Sequence, residues 1–191
     1  MERERAAAQE LTLTTHRLIL REFREDDWVA VHEYASDPAV VRYMPWGPNR
    51  EEDTQVFIQR ALALQSEDPR TGYEFAVTLR PDGELIGGCG LHAMSFEHRS
   101  SFLGYCFRRE AWGRGYATEA AAALLAFGFE RLGLHRMSAT CDTENAASAR
   151  VLEKVGMRRE GHFRDDTLVR GRWRDSYLYA VLAGEWGGTQ R

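Results

Sequence analysis

The residues best suited to chemistry lie between positions 104 and 120. The stretch reads Gly-Tyr-Cys-Phe-Arg-Arg-Glu-Ala-Trp-Gly-Arg-Gly-Tyr-Ala-Thr-Glu-Ala. Apolar residues alternate up to Phe107 and recur at helical spacing from Ala117, which predicts a strand, a loop and a helix. The N-terminus of such a helix has unpaired N–H groups and a partial positive charge. Because Gly113 and Gly115 would let a ligand approach the backbone closely, this loop is suited to binding a phosphate.

Two common phosphate-binding motifs fit the loop poorly. A Walker loop needs Gly-x-x-x-x-Gly-Lys-Ser/Thr, which occurs nowhere in the chain. The dinucleotide motif Gly-x-Gly-x-x-Gly is nearly met by Gly113, Gly115 and Thr118, and Asp142 ends the next predicted strand. That motif follows its strand almost at once in a run of βαβ units, whereas polar residues 108–110 intervene here and strands dominate before the helix. Both motifs are therefore disfavoured.

The loop instead resembles the acyl-CoA loop of the GNAT acetyltransferases, Gln/Arg-x-x-Gly-x-Gly/Ala after a bulged strand. The matching residues are Trp112-Gly113-Arg114-Gly115-Tyr116-Ala117, with Trp112 where the family usually has Gln or Arg. A second segment, residues 142–157, resembles the pattern Asn-x-x-Ser-x-x-Val-Leu-Glu-Lys-x-Gly-Phe of the RimJ/RimL-type N-terminal acetyltransferases, with Met157 in place of Phe. Further matches at residues 15–21, 172–177 and 185–186 extend the resemblance over residues 13–186.

The resemblance implies an acyltransferase that uses acetyl-CoA as co-substrate. In this family, backbone groups of the strand pair with the pantetheine arm and loop amides hold the pyrophosphate. The residues of this chain that match are Phe107, Trp112, Gly113, Arg114, Gly115, Tyr116, Ala117, Thr118, Asn145 and Ser148. The ordinary alternatives are a simple strand-to-helix turn at Gly113 and Gly115, a helix N-cap at Asn145, and a first-turn serine at Ser148.

In acetyl transfer from a thioester to an amine, the leaving thiolate benefits from a proton. Many GNAT enzymes use a tyrosine seven residues after the helix-opening Asn, where this chain has Leu152. Ser148, Tyr105 or water would therefore have to supply the proton. Cys141, at the end of a strand facing the cleft, is a conceivable acyl-cysteine, with a buried structural thiol as the alternative.

The attacking amine must be neutral, so the reaction also needs a base or a water relay. Many relatives carry an acidic residue on the strand before the loop, where this chain has Phe102-Leu103. The candidate bases are Glu74, His92, Asp165 and Asp166, each of which has an ordinary alternative as a solvated or capping residue. Aromatic residues that would shape an acceptor pocket, or else belong to the core, are Trp28, Tyr43, Trp46 and Trp173.

Composition limits the remaining classes of function. The chain has 191 residues, of which 43% are hydrophobic and 28% charged, with a net charge of −4, so charge gives no support for a nucleic-acid partner. Three cysteines without a Cys-x-x-Cys pair predict reduced thiols in a cytoplasmic protein. Six histidines without His-x-x-x-His spacing predict no metal. No apolar run approaches the roughly 20 residues of a membrane span, and no signal peptide is evident.

The chain length predicts one domain, over residues 11–187, after a frayed arm at residues 1–10. The predicted order β-α-α-β-β-β-α-β-α-β-β starts with a strand at Leu18 and ends with two strands joined by a polar connection. This order matches the GNAT fold, an α/β (α+β) arrangement with a mixed, twisted central sheet flanked by helices. The resemblance implies that the strands before and after the central helix splay apart.

The resemblance also implies the reaction and its acceptor. The expected activity is transfer of acetyl to a primary amine by direct attack in a ternary complex, with a protein N-terminal α-amine as acceptor. A small-molecule amine, such as an aminoglycoside or polyamine, is the alternative acceptor. A non-catalytic acyl-CoA-binding sensor module is the alternative from another class, and the chain is expected to be a monomer or homodimer without nucleic-acid or membrane partners.

Overall fold

One mixed sheet of eight strands organises the molecule, in the order β1-β2-β3-β4-β5-β6-β8-β7. The computed structural model describes residues 11–187, so the predicted arm at residues 1–10 lies outside the described residues. The strands are β1 (Thr12–Thr14), β2 (Leu18–Glu22), β3 (Tyr73–Leu79), β4 (Leu85–Ser95), β5 (Ser100–Phe107), β6 (Arg136–Asp142), β7 (Arg158–Val169) and β8 (Arg172–Leu182). The helices are α1 (Trp28–Ala35), α2 (Glu51–Gln65), α3 (Tyr116–Ala126) and α4 (Ala146–Lys154).

The sheet opens between β5 and β6. These strands are parallel, and their pairing covers only residues 100–102 against 136–138. Beyond that point β5 continues along β4, while β6 continues along β8. The predicted splay is therefore present, and it leaves one edge of β5 facing a gap at the end of the strand that leads into the loop.

Each face of the sheet carries its own hydrophobic cluster. On one face α3 and α4 contribute Leu124, Leu125 and Leu152, which pack with residues of the central strands such as Leu91. On the other face α1 and α2 bury residues such as Val31 and Ile58. Because the apolar side chains of these helices recur every three to four residues, each helix presents one apolar stripe to the sheet.

The predicted fold class is confirmed, and three local features differ from prediction. Strand β1 is additional, and its three residues are too short for alternation to show. The predicted polar connection after Arg164 is mostly strand, since β7 continues to Val169 and only Arg170 and Gly171 turn the chain. The central helix changes to a π-helix over Phe127–Arg131 before Gly133, which has a φ of 64°.

Candidate active site

A cavity of about 930 Å³ lies at the opening between β5 and β6. Residues 103–106 of β5 and 139–142 of β6 form its middle. The start of α4 borders it on one side of the sheet, and residues 43–49 between α1 and α2 border it on the other. A ligand bound on one face can therefore meet a ligand bound on the other through the gap in the sheet.

The glycine loop leads directly into the N-terminus of α3. Gly113 and Gly115 have φ angles of 72° and 81°, in the left-handed region that favours glycine. Gly115 is the N-cap of α3, so Tyr116, Ala117 and Thr118 form the first turn, whose amides have no partner within the helix. Apart from Gly113 itself and its two chain neighbours, no residue has an atom within 4 Å of the position that a Cβ would take at Gly113. The loop thus leaves open space beside a set of amides that suits a phosphate group.

Arg17, in the turn between β1 and β2, holds this loop in place. Its Nε donates to Glu119 Oε2 at 2.7 Å, and its Nη1 donates to the Arg114 carbonyl at 2.9 Å. Burial alone would raise the pKa of Glu119, but hydrogen bonds from Thr15 and Arg17 lower it. The sequence alone assigns no role to Arg17 within the matching segment 15–21, because the contact with α3 forms only in the folded chain.

The end of β5 exposes backbone groups to the gap. The Arg108 N–H donates to the Ile86 carbonyl of β4 at 3.0 Å, so the backbone groups of Phe107 face the opposite way. Trp112 Nε1 donates to the Phe107 carbonyl at 2.8 Å, which leaves one lone pair of that oxygen for a second donor. This open strand edge, followed by the glycine loop, suits an extended ligand that carries a phosphate group.

The candidate proton donors Tyr105 and Ser148 form one hydrogen-bonded pair, here named the hydroxyl pair. Their oxygens are 2.9 Å apart, and both side chains line the cavity. Burial raises the pKa of Tyr105 well above its ordinary value, and the hydrogen bond with Ser148 only partly opposes this. Asn145 is the N-cap of α4, as the alternative prediction for this residue had it, and its side chain accepts the Ser148 N–H at 3.1 Å. It also borders the cavity.

Glu74 and His92 form a second pair, here named the His–Glu pair, at the other side of the cavity. Glu74 Oε1 lies 3.2 Å from His92 Nδ1. A Cβ at Gly90 would come within 2.7 Å of the Glu74 carboxylate, and a Cβ at Gly104 within 3.2 Å of the His92 ring. Burial alone would lower the pKa of His92, but the hydrogen bond and charge of Glu74 outweigh it and raise that pKa. The two glycines therefore make room for a pair that can hold a proton.

The other candidate bases lie elsewhere. Asp165 and Asp166 are exposed on β7 and are not among the residues that line the cavity. The Asp165 N–H donates to Asp175 Oδ1 at 3.0 Å, and Asp166 Oδ2 accepts the Thr167 hydroxyl at 3.2 Å. The structure thus does not bring Asp166 to the cleft, because β7 extends past it and turns its side chain to solvent.

Cys141 and Leu152 both line the cavity. Burial raises the pKa of the Cys141 thiol to about 11, so near neutral pH the group is a thiol and a weak nucleophile. Leu152 is buried at 1% exposure and has no proton to give. The raised pKa of Cys141 therefore disfavours an acyl-cysteine, and Leu152 cannot replace the tyrosine of the family as a proton donor.

Of the four aromatic residues predicted for an acceptor pocket, Tyr43 and Trp46 line the cavity. Trp28 packs against the cluster under α1 and α2, and Trp173 is 60% exposed on β8 outside the cavity lining. Four further residues line the cavity without a role predicted from the sequence: Tyr34, Phe57, Arg60 and Arg174. The first three lie on helix faces without a motif, whereas Arg174 lies in the matching segment 172–177, to which the resemblance assigned no role.

Asp142, the acidic residue of the rejected dinucleotide motif, has a structural partner. Arg174 Nε and Nη2 donate to its two oxygens at 2.7 and 3.0 Å, and the carboxylate also accepts the Glu144 N–H. Asp142 therefore shapes the turn that presents Asn145. Within residues 11–187, no group of three His, Cys, Asp or Glu side chains is placed to hold a metal ion, and no helix has the length and apolarity to cross a membrane.

Comparison with known proteins places these features in a family. The model of the acetyltransferase (GNAT) domain matches residues 17–158. The uncharacterized N-acetyltransferase YnaD of Bacillus subtilis is 41% identical over 174 residues, which cover 91% of this chain and 98% of that protein. A crystal structure of a GNAT-family acetyltransferase from Bacillus anthracis has a TM-score of 0.81 at 39% identity, and the match covers 92% of this chain and 100% of that one.

Two other similar proteins have acceptors in their names. The ribosomal protein uS5 alanine N-acetyltransferase of Escherichia coli is 28% identical over 188 residues, covering 95% of this chain and 96% of that enzyme. The spermidine N-acetyltransferase of Vibrio cholerae, solved with CoA and spermine, has a TM-score of 0.79 at 21% identity. The match covers 90% of this chain and 99% of that one, and at this identity it supports only a shared fold. With the open strand edge, the glycine loop and the family match together, the chain belongs to the GNAT acetyltransferases, in their RimJ/RimL-like branch, and is an acetyl-CoA-dependent N-acetyltransferase.

Proposed function

We propose that this enzyme acetylates the α-amine at the N-terminus of a protein, by direct attack in a ternary complex. The main observation behind this proposal is that a single cavity spans the gap in the sheet. The hydroxyl pair lies in it on the side of α4, and the His–Glu pair lies on the side of α1 and α2. Acetyl-CoA and acceptor would enter from opposite faces. The likeness to an enzyme named for a ribosomal protein N-terminus supports this acceptor.

The charges of the cavity favour an acceptor with one amine over a polyamine or aminoglycoside. Its acidic lining residues are Asp53, Glu74 and Asp142. Each has a basic partner in the structure, namely Arg50, His92 and Arg174 respectively. Several ammonium groups on one acceptor would therefore find few carboxylates without a partner. The rest of the acceptor side is largely apolar and aromatic, which suits the first side chains of a peptide.

The proposed division of work follows from the positions of the two pairs. The His–Glu pair takes the proton of the incoming amine, directly or through a water, because it lies on the acceptor side and can hold a proton. The hydroxyl pair gives a proton to the leaving thiolate, because burial keeps the Tyr105 phenol protonated. Cys141 forms no acyl intermediate in this scheme, since its thiol stays protonated.

Binding of acetyl-CoA is proposed for the residues that the sequence singled out. The open edge at Phe107 would hold the pantetheine, and the loop with the first turn of α3 would hold the diphosphate. The set is Phe107, Trp112, Gly113, Arg114, Gly115, Tyr116, Ala117 and Thr118, with Asn145 and Ser148 at the start of α4. A cytoplasmic location and a monomeric or homodimeric state stay predictions.

The test is acetyl-CoA-dependent release of thiol by purified protein. Peptides with varied first residues form one arm, and spermidine and an aminoglycoside form the other. We expect release with peptides, at a rate that depends on the first residue. Acetylation of spermidine at a higher kcat/KM than any peptide would contradict the proposed acceptor and favour the polyamine alternative.

A further inference from the structure

We propose that Arg170 is a positioning residue that holds the acceptor side of the cavity in shape. The segment concerned is residues 41–49 between α1 and α2, here named the acceptor loop. Arg170 lies far along the chain, in the two-residue turn between β7 and β8. The inference rests on the proposed function in taking the acceptor loop as the surface that the amine substrate contacts.

The Arg170 guanidinium donates hydrogen bonds to four backbone carbonyls of the acceptor loop. Arg170 Nη2 donates to the carbonyls of Gly47, Val41 and Trp46 at 2.8, 3.0 and 3.2 Å, and Nη1 donates to that of Arg42 at 3.3 Å. Backbone carbonyls in a loop without regular structure need donors from elsewhere. Because the donor is charged, these hydrogen bonds are stronger than those between neutral groups. The Arg170 side chain thus connects residues 41–42 with residues 46–47 through their backbone carbonyls.

Both partners of this contact are walls of the cavity. Tyr43, Met44 and Trp46 of the acceptor loop line it, and so do Thr167 and Val169 of the strand that ends at the turn. A shift of the loop away from the hairpin would therefore widen the acceptor side. The glycine loop that precedes α3 is not part of this contact, so acetyl-CoA binding should be insensitive to it.

The conformation of Arg170 provides a clean variant. Its φ is 47°, in the left-handed region where glycine is unstrained, so Arg170→Gly removes the guanidinium without adding backbone strain. Arg99→Gly is the matched control, because Arg99 has a φ of 46° in the turn between β4 and β5 and is not among the residues lining the cavity. Arg170→Lys keeps the charge but loses the planar fork, and it replaces Arg170→Gly if that variant does not fold.

The first measurement is amide hydrogen exchange by mass spectrometry, which needs no substrate. In Arg170→Gly we expect residues 41–49 to exchange at least about tenfold faster, while residues 112–118 and the Arg99→Gly control keep the wild-type rates. Unchanged exchange in the acceptor loop, or equal acceleration throughout the protein, would overturn the inference. This result stands even if the proposed acceptor is wrong, so the two failures are distinguishable.

The second measurement is steady-state kinetics with an acceptor that the wild-type enzyme uses. We expect Arg170→Gly to raise the acceptor KM by about tenfold or more, with the KM for acetyl-CoA within about twofold of wild type. The acceptor KM of Arg170→Lys should lie between that of the wild-type enzyme and that of Arg170→Gly. An equal rise of both KM values, or none in the acceptor KM, would show that Arg170 does not position the acceptor side.

Discussion

At the scale of single residues, the hydroxyl pair offers a substitute for the tyrosine that α4 lacks. Ser148 and Leu152 are four residues apart on one helix face, and Tyr105 reaches that face from β5 on the opposite wall of the gap. Its phenol therefore stands about one helical turn before the position where many GNAT enzymes carry theirs. In the proposed reaction the thiolate leaves between the two walls, so a proton donor can come from either of them.

We expect Tyr105→Phe to lower kcat by about a hundredfold, the usual size of a general-acid effect, with the KM for acetyl-CoA little changed. The change removes a hydroxyl and leaves the ring in place. Tyr179→Phe is the control, because Tyr179 is also buried and hydrogen-bonded, to Glu153 at 3.1 Å, but does not line the cavity. Equal kcat values for the two variants would argue that water protonates the thiolate.

The His–Glu pair predicts a pH-dependent contribution to stability. The pKa of His92 is raised in the folded protein, so the stabilising contact with Glu74 is fully present below the unfolded pKa of about 6.5. It is lost as the pH rises through the higher folded pKa. We expect Glu74→Gln to lower the pKa of His92 in an NMR titration and to lower the unfolding temperature more at pH 5.5 than at pH 9. An unchanged His92 titration would contradict the pair.

Sequence alone could find residues of this site where a motif fixes both type and spacing. The glycine loop and the Asn145 segment are of this kind, because each is continuous in the chain. The contact between Glu74 and His92 depends on the register of β3 against β4, and on glycines at positions 90 and 104 that leave room for the two side chains. The same holds for Arg170, whose partners lie more than 120 residues away.

At the scale of elements, the junction between the glycine loop and α3 is the proposed binding site for the diphosphate of acetyl-CoA. Gly115 has a φ of 81° and sits where the chain turns into the helix. Arg17 and Glu119 fix the same junction from the outside. The amides of the first turn of α3 therefore converge on one point only if the N-terminus of the helix and the backbone conformation at Gly115 are both preserved.

We expect Gly115→Ala to weaken acetyl-CoA binding by about tenfold, measured by calorimetry. An alanine at that φ also costs about 1 kcal/mol of stability. Gly83→Ala is the matched control, since Gly83 has a φ of 74° with open space around it in the turn between β3 and β4. It should lose similar stability in urea unfolding while keeping its affinity. Equal affinity in both variants would remove Gly115 from the cofactor site.

The extent of β7 shows the limit of sequence analysis at this scale. Residues 165–169 are polar enough to suggest a connection, yet β7 continues to Val169. After an irregular step in the register, residues 167–169 pair with residues 172–174 of β8. Such tertiary pairing overrides local composition. The extension matters for function, because it carries Arg170 to the acceptor loop.

At the scale of the whole molecule, the two hydrophobic clusters stabilise the two sides of one gap. Helices α1 and α2, on the proposed acceptor side, pack on one face of the sheet, and α3 and α4, on the proposed acetyl-CoA side, pack on the other. A ligand that bridges β5 and α4 would therefore tie together parts that the sheet itself joins through only three residue pairs. Ligand binding should raise the stability of the entire fold.

We expect acetyl-CoA at about one hundred times its Kd to raise the free energy of unfolding by about 2.7 kcal/mol. For a chain of this length, that is a rise of roughly 5 to 10 °C in the unfolding temperature, measurable by calorimetry. Coenzyme A should give a comparable rise, because it has the diphosphate and pantetheine for which the contacts are proposed. Gly115→Ala should show a smaller rise at the same concentration, and Gly83→Ala an equal one. If neither ligand stabilises a folded wild-type protein, the assignment of the glycine loop and of the β5 edge to acetyl-CoA is wrong, because any ligand that binds only the native state must shift this equilibrium.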